Sequence, residues 1–145
     1  MVSGGAYCLC ISVAVELDLE VGALGRLRFP PARYIYIGSA MNGLEARVRR
    51  HIKTNRRIYG AIHWHIDYLL NTPGVNIETI YVQQTDLRTE CTIATAVSQL
   101  GKPVKGFGCS DCRCISHLFK VDDCRFLTEL GLESRSTSDF FSHDA

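Results

Sequence analysis

Residues 7–15 are apolar almost without interruption, broken only by Ser12 before Glu16 ends the run. A short apolar run with β-branched side chains predicts a strand. Residues 21–29 read as a second strand despite Gly22 and Gly25, and Pro30-Pro31 then stops pairing because proline has no ladder donor. Residues 33–39 alternate tyrosine with isoleucine, which predicts a third strand ended by Gly38. Short connections make an antiparallel three-stranded meander the simplest arrangement.

The period then changes. Leu44, Val48 and Ile52 fall at i, i+4 and i+8 behind Asn42 as candidate cap, with Arg47, Arg50 and His51 on a neighbouring face. Residues 59–70 predict a second helix, with Trp64, Tyr68 and Leu69 as core positions, ended by Asn71-Thr72-Pro73-Gly74. Its two histidines, His63 and His65, do not share a helix face. Residues 75–82 read as a fourth strand. Asp86 or Thr89 caps a third helix through Glu90, Ala94 and Val97, ending at Gly101-Lys102-Pro103. Residues 106–114 form a loop, 117–121 a short strand and 122–130 a last helix. The order βββααβαβα implies an α+β fold, a mainly antiparallel central sheet flanked by helices. Residues 1–131 are then one domain, and the polar residues 132–145 an expected flexible tail.

Composition agrees with one packed core: 145 residues, 46% hydrophobic and 21% charged, which excludes a disordered or collagen-like chain. No apolar run approaches the roughly 20 residues of a membrane helix. The start, MVSGGAY, lacks a basic segment leading into an apolar one, so no secretory signal and no membrane partner are expected, and the expected compartment is the cytoplasm. The net charge of +1 hides a division. Residues 42–57 hold Arg47, Arg49, Arg50, Lys53, Arg56 and Arg57 against Glu45, a candidate phosphate-binding face with salt-dependent affinity. Residues 122–145 hold Asp122, Asp123, Glu129, Glu133, Asp139 and Asp144 against Arg125 and Arg135.

Seven cysteines are many for a cytosolic chain and, being odd in number, cannot all pair internally. Cys109, Cys112, Cys114 and His117 crowd into one short stretch. Thiolate and imidazole are the ligands of tetrahedral Zn²⁺, and His63 or His65 would complete a site with two of the cysteines. A thiol-rich packed loop, or redox chemistry between Cys112 and Cys114, satisfies the same residues. Asp111 in this loop is a turn cap or a neighbour of the metal.

Gly5-Ala6-Tyr7 and Tyr36-Ile37-Gly38 lie on two of the expected strands, followed by Arg47 and His51 in LEARVRRH and by Glu90 in TECTIATAV. This ordered series resembles the GIY-YIG nuclease superfamily. With YIYIGSA, WHIDYL and GFGCSDCRCISHLF it is similar, over about residues 5–119, to the small archaeal-type DUF123 branch sometimes fused to endonuclease III-like proteins. The resemblance implies a metal-dependent DNA endonuclease acting in DNA repair or processing. Tyr36 would be the general base, with Tyr7 supporting it or orienting water. Arg47 would stabilise phosphoryl charge and Glu90 would hold one Mg²⁺ or Mn²⁺. His51 would assist proton transfer or bind phosphate.

Residue chemistry is consistent with those roles. A phenol of pKa roughly 10 becomes a usable base beside a cation. A guanidinium fork matches phosphate, and one carboxylate suffices for a hydrated hard cation. Two departures stand out. Tyr7 and Tyr36 are 29 positions apart, which makes residues 17–31 an inserted β excursion. The neighbourhood KPVKGFG has Lys105 where the family commonly has an asparagine. The alternative reading is a non-catalytic module, with or without a zinc staple, that docks on DNA or on a repair protein.

Overall fold

A computed structural model describes residues 4–57, 62–108 and 114–141. The chain is α+β. Its six-stranded sheet has the order β6-β7-β4-β1-β5-β8, with every neighbouring pair antiparallel. The strands are β1 (Gly5–Val13), β4 (Ala32–Ala40), β5 (Val75–Gln84), β6 (Lys102–Pro103), β7 (Leu118–Val121) and β8 (Glu133–Arg135). β2 (Leu17–Glu20) and β3 (Arg26–Phe29) form a separate two-stranded sheet. The helices are α1 (Leu44–Asn55), α2 (His65–Leu70) and α3 (Glu90–Val97).

β1 explains its own composition. It lies in the middle of the sheet with both faces covered, and strands covered on both sides read as continuous apolar runs. Tyr7, Leu9, Ile11 and Val13 join Leu44, Val48, Ile52, Ile66, Leu69 and Leu70 in one core, beneath α1 and α2. Ala6, Cys8 and Cys10 join Ile35, Ile37, Ile93, Ala94 and Val97 in a second core, beneath α3. A disulfide, Cys10–Cys124, closes that second side. Bonds of this kind persist in oxidising compartments and in the interiors of hyperthermophiles.

Several expected elements differ. Residues 21–29 are not the middle strand of a meander: β1 pairs directly with β4, Val13 opposite Ala32 through Gly5 opposite Ala40. The excursion instead folds over the first core, where Val21 and Phe29 are fully buried. The cap of α1 is not Asn42 but Gly43, in the left-handed conformation at φ 68°, which glycine adopts at least cost. The second helix begins only at His65, because the Asp67 carboxylate accepts the backbone N–H groups of His63 (2.8 Å) and Trp64 (2.9 Å) and so caps it there. Its expected start at Tyr59 lies outside the described residues. The last helix is a 3₁₀ segment, Arg125–Leu130.

Residues 132–140 do not fray. β8 adds to β5, with Tyr81 opposite Ser134, and gives that edge its hydrogen-bond partners. A 3₁₀ turn, Thr137–Phe140, then buries Phe140 in the first core. Among the described residues no helix is long and apolar enough to cross a membrane.

Candidate active site

The site grows from the register of the two central strands. Tyr7 is paired with Gly38, and Tyr36 with Leu9, so both tyrosines project from one face as diagonal neighbours. Their ring centroids are 6.5 Å apart. Gly38 permits this arrangement. A Cβ there would stand 2.5 Å from Cζ and the hydroxyl of Tyr7, so any side chain would push the Tyr7 ring away.

α1 places His51 behind Tyr7. The Tyr7 hydroxyl and His51 Nε2 are 2.6 Å apart and buried. Burial is the main reason that His51 drops to a pKa of about 3; Arg50 and Arg47 add to the fall while Asp67 opposes it. Burial likewise pushes the Tyr7 phenol well above its ordinary range, Tyr36 and Glu90 adding and Arg47 opposing. The bond therefore joins a neutral phenol to a neutral imidazole. His51 is 0% exposed, so it reaches the cavity through Tyr7 and does not itself touch a phosphate.

Arg47 and Glu90 approach from either side of β4. Arg47 Nη1 donates to the Ser39 carbonyl (3.1 Å), and its guanidinium lies 4.8 Å from the centroid of the Trp64 ring. Arg50 covers the same ring at 4.3 Å while both its Nη atoms bond Asp67 (3.1 and 3.2 Å). Trp64 is thus held by two cations, a favourable arrangement for an aromatic face. Glu90 opens α3 and accepts the Ser39 hydroxyl.

Tyr7, Tyr36, Arg47 and Glu90 line a single cavity of about 230 Å³. Ser39, Trp64 and the histidines 63, 65 and 117 complete much of its wall. His65 Nδ1 accepts the Gly108 N–H at 2.9 Å. Burial lowers the pKa of both His65 and His117, keeping them neutral at pH 7. Lys105 is exposed and does not line the cavity; Gly108 and His117 supply wall from that part of the chain.

The basic stretch is divided. Only Arg47 of the six cations lines the cavity. Arg50 is held by Asp67. Arg49 Nε donates to the Phe140 carbonyl at 2.8 Å, and Arg49 and Arg56 lie 6.0 and 5.0 Å from the Phe141 ring centroid. Lys53 is half-buried, and Arg57 is exposed at φ 58°.

Two donor sets suit metals. Among the described residues Glu90 is the one acid in the cavity wall, and one carboxylate beside an open polar space fits a hard cation that keeps its waters. Cys114 and His117 come together with Cys91; Cys109, Cys112 and Asp111 of the expected cluster lie outside the described residues. Sequence periodicity left out Ser39, Trp64 and Cys91. Trp64 packs against the first core as expected and, because it precedes the helix, lines the cavity as well. For the same reason His63 and His65 share a cavity that helical spacing denied them.

The family model described as a domain of unknown function, DUF123, matches residues 6–136, and the chain belongs to that family. Comparison with curated proteins and with solved structures gave no match.

Proposed function

We propose that this DUF123 chain is a metal-dependent DNA endonuclease of the GIY-YIG type, hydrolysing phosphodiester bonds in DNA repair or processing. The observation that carries the reading is the shared cavity of Tyr7, Tyr36, Arg47 and Glu90. Each of the four supplies one requirement of phosphodiester hydrolysis: a proton acceptor, a held water, a fixed cation and a carboxylate.

A hard divalent cation such as Mg²⁺ or Mn²⁺ at Glu90 supplies Lewis-acid stabilisation of the phosphate when bound. Tyr36 takes the proton of the attacking water, in the cavity that Arg47 also lines. Tyr7, fixed by His51 at 2.6 Å, keeps its proton and orients that water through its remaining lone pair. Arg47 is held by Ser39 and Trp64, so its free N–H groups meet developing phosphoryl charge with little reorganisation. Ser39 fixes the Glu90 carboxylate.

The test is cleavage of a labelled panel of DNA structures, with Mg²⁺ or Mn²⁺ and with EDTA. Cutting should need metal, vanish in Glu90→Ala, and fall on the order of 10²–10³-fold in Arg47→Ala. Binding without cutting in any metal, unaltered by Glu90→Ala, overturns the nuclease and leaves the docking module on DNA or a repair protein.

A further inference from the structure

We infer that Cys91, Cys114 and His117 form a Zn²⁺ site that ties the first turn of α3 to the segment leading into β7. The ligand atoms of the three residues all lie within 4.8 Å of one another. Three atoms so spaced always leave a point within about 2.8 Å of all of them, so side-chain adjustments of about half to three-quarters of an ångström reach the roughly 2.3 Å of Zn–S and 2.0–2.1 Å of Zn–N bonds. The donors are also of the right kind: two thiolates and one neutral imidazole balance the ion's charge and favour zinc over magnesium or calcium.

The backbone around these donors is held independently of any ion. The His117 N–H donates to the Phe107 carbonyl at 2.8 Å, and the His117 carbonyl accepts from Ile37 at 2.9 Å, which locks the residue to β4. The Gly106 N–H donates to the Ile115 carbonyl at 3.0 Å, fixing the residue next to Cys114. Cys91 sits in the first turn of α3, whose Ile93 N–H donates to the Thr89 carbonyl at 2.9 Å. His117 is buried, while Cys91 and Cys114 are partly exposed, so the site combines a rigid inner ligand with an entry path.

Among the described residues the group supplies three donors. A cavity of about 450 Å³ is walled by Cys91 and His117 together with Ser39, Arg47, Arg88 and Glu90. Two of the three ligands, Cys91 and His117, face that space, which leaves room for an exchangeable water, as in zinc sites that are not wholly enclosed by protein. Because Cys91 follows Glu90 directly, the bound ion would also hold the start of α3, and hence the Glu90 carboxylate, against β4. The inference does not depend on nuclease activity. Zinc and the hard cation occupy different donors, soft at Cys91 and hard at Glu90.

The experiment uses the full chain, reduced with a phosphine, stripped with a chelator and reloaded with Zn²⁺ alone. Bound metal is measured by elemental analysis after gel filtration, and Co²⁺ is loaded in parallel as a spectroscopic probe. The expected result is one zinc per chain, thiolate-to-cobalt charge-transfer bands with tetrahedral intensities, and retention of zinc in Glu90→Gln. Cys91→Ser and Cys114→Ser should each lose zinc and weaken the charge-transfer bands. A wild-type chain that takes up no zinc, or a cobalt spectrum without thiolate bands, overturns the site without reference to any variant. So does full zinc retention in Cys91→Ser, which would assign the metal to other thiols.

Discussion

The two faces of the sheet are built from the same strands and do different work. On one face β1 offers Tyr7, Leu9 and Ile11, and polar groups are buried among apolar ones: the Tyr7–His51 bond, the Arg50–Asp67 pair, and Trp64 between two guanidinium groups. On the other it offers Ala6, Cys8 and Cys10 to a small-residue core under α3, closed by a disulfide. His51 Nδ1 and Thr54 Oγ1 are buried without a partner, so the bonds that this face does make are few and it is sensitive to the loss of any one of them. Alternation along a strand is what permits the separation, since neighbouring residues belong to opposite faces.

The largest effect expected is at Asp67, which is fully buried, accepts both nitrogens of Arg50 and caps α2 through the N–H groups of His63 and Trp64. Asp67→Ala leaves a largely buried guanidinium without its acid and should cost about 3–5 kcal/mol in urea unfolding. Trp64 is the sole tryptophan, so its emission reports this face alone, and a red shift in the folded variant is expected. A change below about 1 kcal/mol, within what surface pairs contribute, would mean that the polar network is not what holds the site.

The next effect belongs to the other face. Cys10 and Cys124 are separated by 114 residues, and removing a bridge over so long a loop costs about 2–4 kcal/mol, chiefly by freeing the unfolded chain. The double variant Cys10→Ala/Cys124→Ala should unfold at lower urea while its folded form keeps the Trp64 emission of the wild type. A shifted emission would join the two faces that the architecture separates.

What the sequence disclosed follows the same division. Uninterrupted apolar character marked β1, and the i, i+4 stripe of Leu44, Val48 and Ile52 marked α1, because burial on two sides or one leaves a direct periodic trace. The order of Tyr7, Tyr36, Arg47 and Glu90 also picked out residues that share the cavity. Pairing was another matter. Nothing local states that residues 21–29 leave the sheet, that β8 returns to β5, or that Cys10 meets Cys124, since each depends on partners distant along the chain. Trp64 and His63 escaped for a different reason: one carboxylate, Asp67, starts the helix at His65, just beyond them, a choice that propensity does not reveal.

The smallest effect expected sharpens the comparison by isolating a single proton. His51 has a pKa of about 3 in the folded protein and about 6.5 when unfolded. Below pH 6.5 the unfolded chain binds a proton that the folded chain refuses, so stability falls as pH falls, and the loss continues until about pH 3. Above pH 6.5 the group contributes nothing. The limiting slope is about 1.4 kcal/mol per pH unit. His65 and His117, also lowered by burial, act with the same sign, so the diagnostic is a difference between proteins. His51→Gln, measured from pH 6.5 to 4.5 against the wild type, should show an acid slope shallower by close to one proton, above the range where most carboxylates titrate. An unchanged slope would mean that His51 takes up its proton while still folded and that the Tyr7–His51 bond is open to solvent, and the distinction between a closely held polar face and an inert one would fail at its centre.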